Sequence, residues 1–193
     1  MVVCYLYVDL PLTTFLYQSD KYYPWIAYTF TQINHLGTGM VYIIGASLIF
    51  LWAVFIAKNK RAAWISGYFL ASLTLAGLVC NLLKIIAGRA RPFEFFTHNL
   101  YGFYFWQYDN NFWSFPSGHA TTIAVLTTAT YLLLRRFGAL LFLLFILVFA
   151  GRVISRAHYL SDVMGGAYLG FMISYWLYRL LNKIDAAKIS ATL

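Results

Sequence analysis

The chain has 193 residues, of which 62% are hydrophobic and only 10% charged, with a formal net charge of +8. That composition excludes a soluble domain of this size and predicts an integral membrane protein. The basic excess does not point to nucleic acid, because the cations are spread between apolar segments and form no basic helix or patch interleaved with aromatics.

Met1 to Leu16 is apolar but interrupted by Asp9 and Pro11, which reads as a partial helix or an interfacial segment. No secretory signal is read in it, since Met1 to Tyr7 has no basic n-region. Cys4 and Cys80 lie far apart in apolar contexts and are read as core filler, without a zinc spacing or a disulfide framework. Gln18 to Pro24 is a polar, tyrosine-rich turn, and Trp25 to Leu36 reads as a short amphipathic helix with His35 as a polar interface residue. Gly39 to Ala57 is the first clear transmembrane helix and Ala62 to Leu83 the second, joined by the basic turn Lys58-Asn59-Lys60-Arg61.

An aromatic-rich loop follows, from Lys84 to about Ser117, with the composition of the headgroup layer. Within it Glu94 and His98 are expected to shape the loop. Gly118 to Leu134, Phe137 to about Arg152, and Val163 to Leu181 are the remaining spans. Gly166 and Gly170 form a small-xxx-small pair expected to let the last helix pack closely. The prediction is therefore an all-α, polytopic membrane helix bundle in one domain (1–193): five clear transmembrane helices plus an N-terminal interfacial or partial sixth helix within 1–36.

Orientation follows from the positive-inside rule. Lys58, Lys60, Arg61, Arg135, Arg136, Arg179, Lys183 and Lys188 fall on one side and hold most of the 14 basic residues. That side is expected to be cytoplasmic. Lys84, Arg89, Arg91, Arg152 and Arg156 gather at the opposite ends of the helices, against the topological bias, so an anionic partner is expected there.

Three groups converge on that outer face. Lys84 and Arg91 are seven apart, nearly two helical turns, so both can point the same way, with Pro92 terminating the helix. Pro116-Ser117-Gly118-His119 opens a helix whose free N–H groups can hold an anion. In Gly151 to Asp162, an apolar run of only about 21 Å precedes Arg152, against a core of about 30 Å, so the charge lies at or below the bilayer rim and implies function. His158 and Asp162 can share a helix face, but Arg152 and His158 are about 240° out of phase. One helix therefore ends near Arg152 to Arg156, and Ser161 or Asp162 caps the next, which begins at Val163. Cations, a helix N-terminus and two histidines describe a phosphate site.

These residues resemble the type 2 phosphatidic acid phosphatase superfamily, whose signatures are Lys followed by Arg-Pro after six residues, then Pro-Ser-Gly-His, then Ser-Arg followed by His after five residues and Asp after three more. The chain has Lys84 with Arg91-Pro92, Pro116 to His119, and Arg152 with His158 and Asp162. The resemblance covers roughly Gly37 to Leu181. One position departs, since Gly151 stands where the family usually has serine, and the loss of a supporting hydrogen bond is expected there.

The resemblance implies metal-independent dephosphorylation of a membrane lipid phosphate or diphosphate at the outer leaflet. His158 would be the nucleophile, Asp162 would fix its tautomer, and His119 would act as acid and then base. Lys84, Arg91, Ser117, Gly118 and Arg152 would bind the phosphate. No cofactor or metal is expected, and the partner would be a phosphorylated membrane lipid, not nucleic acid. The expected location is a bacterial inner (plasma) membrane, with the site on its non-cytoplasmic face. A lipid phosphotransferase would use the same residues, and a non-catalytic lipid-binding protein is the third alternative. Arg89 and Arg156 match no signature and are read as headgroup or interface contacts.

Overall fold

A computed structural model describes the backbone of residues 1–191 and the side chains of all of these except 136, 138 and 184–191. The side chains of Arg136 and Lys188, counted above toward the cytoplasmic face, thus lie outside the described residues. Among the described residues the regular structure is helical, with one isolated antiparallel bridge, Arg89 to Phe103, and no strand.

The α-helices are α1 (Val2–Tyr7), α2 (Asp9–Asp20), α3 (Pro24–Asn34), α4 (Gly39–Leu51), α5 (Lys60–Ala87), α6 (Pro92–His98), α7 (Gly118–Leu133), α8 (Gly138–Ile154) and α9 (Leu160–Ala191). Two stretches are long and apolar enough to cross a membrane, Pro24–Ile56 and Lys60–Ala87, and Ala139–Ile154 is a shorter apolar helix. Large apolar side chains including Leu48, Phe55, Leu78, Leu82, Phe142 and Trp176 are exposed, the pattern of helices that face lipid instead of water.

Helix α7 is the axis of the bundle. Its small and β-branched residues Ala120, Thr121, Ile123, Ala124 and Val125 are buried on every face, with α5, α8 and α9 around it. The glycine pair on α9 permits this closeness: a Cβ at Gly166 would overlap the Ser117 carbonyl oxygen, and one at Gly170 would overlap that of Thr121.

The first signature is placed differently from the expectation. Helix α5 ends at Ala87, because Gly88 takes the left-handed conformation (φ 54°) and donates its N–H to the Lys84 carbonyl. Lys84 therefore occupies the last turn, while Arg91 lies beyond the helix. Pro92 starts α6 instead of terminating α5, at the first-turn position where its missing N–H costs nothing. The aromatic loop folds back on this end: Trp106 and Gln107 donate N–H groups to the carbonyls of Ile86 and Ile85, satisfying acceptors that the helix terminus leaves open.

The N-terminus is also more ordered than its composition suggests. Pro11 falls in the first turn of α2, where a proline is tolerated, and the helix runs on to Asp20. Cys80 is buried, whereas Cys4 is half-buried with its Sγ 3.6 Å from Met164 Sδ.

Candidate active site

Each element delivers one part of the site. Helix α8 ends at Ile154 and the turn 155–159 reverses the chain, with Arg156 at positive φ (55°). The next helix begins at Leu160, three residues before the expected start. Asp162 nevertheless caps it, since Oδ2 accepts the Tyr159 N–H at 3.0 Å from within the first turn. The Ser117 N–H donates to the Asp162 carbonyl at 3.0 Å, which ties the start of α7 to the start of α9. The His158 N–H donates to the Arg152 carbonyl at 3.2 Å, which fixes the turn against α8.

His158 is fully buried, and its Nδ1 lies 2.7 Å from the Ser114 carbonyl oxygen. A carbonyl only accepts, so Nδ1 carries the proton and Nε2 keeps its lone pair. Asp162 Oδ2 is farther from the same nitrogen, at 3.8 Å. The tautomer is thus set by a backbone carbonyl. The carboxylate acts one step removed, since the Ser114 hydroxyl donates to Asp162 Oδ2 at 2.6 Å. Burial drives the His158 pKa down to about 3, and Arg152 pushes the same way while the nearby Asp162 carboxylate opposes it. The imidazole is neutral.

The cations of the three signatures meet here. Lys84 acts electrostatically on Arg91 and Arg152, and all three act on His119. The Lys84 Nζ sits 3.9 Å from the position a Cβ on Gly118 would take. Arg91 is held by its Nε to the Asn110 carbonyl at 2.9 Å. Among the described residues no carboxylate lies in ion-pair range of Lys84, Arg91 or Arg152. The Ser117 hydroxyl and Arg152 Nε are buried without a hydrogen-bond partner. Half-buried cations without a carboxylate partner, beside orphaned donors, are an arrangement that suits an anion. Beside His119, a cavity of about 260 Å³ is lined by Gly39, Ile43, Gly77, Cys80 and Gly118.

Several residues were not legible as site components. Arg89, expected at the headgroup layer, is fully buried instead, because Asp9 and Asp162 pair with its two terminal nitrogens. Ring faces of Tyr5, Phe103 and Tyr159 surround its guanidinium, at 5.0, 5.3 and 4.6 Å from their centroids. Asp9 could have been found as an ionisable residue inside an apolar stretch. Arg156 pairs with Asp20 at 2.6 Å at the rim and takes no part in the cation cluster. His98 Nδ1 donates to Glu94 Oε2 at 2.8 Å, a contact within the loop.

Gly151 also finds an explanation. A Cβ there would stand 2.7 Å from Asn34 Oδ1, so the side chain of α3 occupies the space a serine would need. The Asn34 amide donates to the Gly151 carbonyl at 3.3 Å and to the Ser155 hydroxyl at 3.0 Å, so hydrogen bonding at this point is supplied from another helix.

The chain belongs to the PAP2 superfamily: residues 65–185, the stretch that holds Lys84, Arg91, Ser117, His119, Arg152, His158 and Asp162, match that family. Among curated proteins it resembles two named lipid A 1-phosphatase, from Rhizobium johnstonii (36% identical, 61% of this chain and 48% of that one) and Rhizobium etli (37%, 59% and 49%). The chain thus spans about half the length of these relatives. Its fold matches the crystal structure of a transmembrane PAP2 type phosphatidylglycerolphosphate phosphatase from Bacillus subtilis, with a TM-score of 0.58 over 91% of this chain and 85% of that one, at 20% identity.

Proposed function

We propose that this chain hydrolyses a phosphate ester of a membrane lipid at the outer leaflet, through a phosphohistidine on His158. The observation that carries the reading is the cluster of Lys84, Arg91 and Arg152, without carboxylate partners, around two histidines of which one has a free Nε2. Such a cluster suits a dianion whose charge shifts to its equatorial oxygens during transfer.

The reaction runs in two displacements. His158 Nε2 donates its lone pair to phosphorus, the bond to the lipid oxygen breaks, and His119 gives that oxygen a proton. His119 then takes a proton from water, the hydroxide attacks phosphorus, and the N–P bond returns its electrons to Nε2. Lys84, Arg91, Arg152, the Ser117 hydroxyl and the Gly118 N–H hold the phosphate oxygens throughout. Positive charge on the phosphorylated imidazole is balanced by Asp162. The same residues would carry out transfer if a lipid acceptor replaced water.

The five-span topology, with the basic turns in the cytoplasm of a bacterial inner membrane, belongs to this reading and is supported by the exposed apolar belt and the matched fold. The apolar cavity beside His119 provides room for the part of the lipid next to the phosphate. The relatives' names make lipid A the first substrate to try, followed by phosphatidylglycerol phosphate, phosphatidic acid and undecaprenyl phosphate. The test is phosphate release from this panel by detergent-solubilised protein with excess chelator, comparing wild type with His158→Ala. Release that survives chelation and is lost in the variant is the expected result. Release that persists in His158→Ala refutes the covalent route, and dependence on an added lipid alcohol assigns a transferase.

A further inference from the structure

Asp9 lies far from all three signatures in sequence, yet it is completely buried at the back of the site. Its Oδ1 accepts the Ser161 N–H at 3.0 Å and its Oδ2 accepts the Ser161 hydroxyl, so it serves the first turn of α9 in place of Tyr159, which has no cap to offer. The same Oδ2 accepts Arg89 Nη2 at 2.8 Å, while Arg89 Nη1 pairs with Asp162 Oδ1 and bonds the Ser161 hydroxyl at 2.6 Å. One guanidinium therefore bridges two carboxylates, and the three groups together carry one net negative charge.

We infer that Asp9 is a positioning residue for the reaction: through Arg89 it fixes the Asp162 carboxylate, and by sharing the Arg89 charge it leaves Asp162 negative toward His158. Without the second carboxylate, Arg89 would neutralise Asp162 alone, and the positive charge that develops on His158 would meet no net negative charge 3.8 Å away. Removing Arg89 instead would leave two buried carboxylates unbalanced, which protonation would relieve at the expense of the same interaction. The N-terminal helix is thereby part of the reaction apparatus. This inference rests on the phosphohistidine reading above.

Asp9→Asn keeps a carbonyl for the Ser161 N–H and removes the charge. Phosphate release from the best lipid of the panel is measured for wild type, Asp9→Asn, Asp162→Asn and the double variant. The scale is taken from the outer-shell partners of metal ligands, whose loss costs about ten- to a hundredfold. The expected result is a fall in kcat of about that size with KM unchanged, and little further loss when Asp9→Asn is added to Asp162→Asn. An unchanged kcat, or a full multiplicative loss in the double variant, overturns the inference. Should Asp9→Asn not fold, Arg89→Lys takes its place: it keeps the net charge but cannot bridge two carboxylates, and its kcat should fall likewise. A second readout needs no turnover. Inorganic vanadate, which takes the Nε2 lone pair into a stable five-coordinate adduct, and inorganic phosphate, which forms no such stable adduct, are compared for their stabilisation against heat. Asp9→Asn should weaken the vanadate effect and spare the phosphate effect; equal changes in both overturn the inference. Wild-type protein that releases no phosphate from any lipid sinks the proposed function, and the vanadate comparison then decides the inference alone.

Discussion

Substituting Gly166 by alanine tests whether the closeness of α7 and α9 assembles the site. A Cβ at Gly166 would overlap the Ser117 carbonyl oxygen and stand 3.1 Å from both the Ser117 carbonyl carbon and its nitrogen, all of them backbone atoms that cannot swing away. The helices must separate by on the order of 1 Å, and a misplacement of that size costs about a hundredfold in rate when it separates reacting groups. Here it does, because Ser117 and His119 ride on α7 while Asp162 rides on α9, joined by the Ser117 N–H to Asp162 carbonyl bond of 3.0 Å. Overpacking of this kind also destabilises by about 1–3 kcal/mol. Phosphate release and thermal unfolding in detergent read the two effects. The contrast is Gly45→Ala, where a Cβ meets nothing within 4 Å and both readouts should stay near wild type. Gly166→Ala with wild-type rate and stability would refute the close-packing account of the site.

Three further outcomes are expected. Gly151→Ser should destabilise the protein, because its Cβ would stand 2.7 Å from Asn34 Oδ1, and adding Asn34→Ala should recover part of the loss; thermal unfolding of the single and double variants reads this directly. Arg152→Ala should cost about a hundredfold in phosphate release, on the scale of one charge-stabilising donor. Arg156→Ala should cost no more than a few-fold, with about 1 kcal/mol lost from its partly exposed pair with Asp20; equal effects of the two arginines on rate would remove Arg152 from the phosphate cluster. His158 should remain neutral with its proton on Nδ1 at about pH 5, where a histidine at the ordinary value of 6.5 is mostly charged. The sign follows from a lowered pKa: the uncharged form persists on acidification down to about 3. Nitrogen-labelled histidine observed by NMR, with His158→Ala for assignment, checks it, and a charged His158 at that pH would refute the burial argument.

The contrast between Lys84 and Arg89 explains what the sequence could and could not convey. Lys84, Ser117, His119, Arg152 and His158 are recognisable because the chemistry demands those residue types at spacings fixed by helix ends, which proline, glycine and the apolar periodicity mark. The break between α8 and α9 followed from the phase difference of Arg152 and His158 alone, and the tight α7 to α9 contact followed from two glycines four apart. Arg89 lies two residues from Arg91 in the same loop, and nothing local distinguishes a cation buried between two carboxylates from one at a headgroup. Its environment is made by Asp9, 80 residues away, and by Asp162, 73 residues away, partners that only the folded chain brings together. The end of α5 was misplaced for a similar reason. Pro92 is the stronger helix breaker by propensity, but Gly88 acts first because loop residues 104–107 fold back to take the carbonyls of Ile85, Ile86 and Gly88. Likewise the apolar N-terminal stretch reads as a poor membrane span when it is scored for hydrophobicity. Its single acid is the feature that does not fit a span, and that acid is the residue the fold carries into the site.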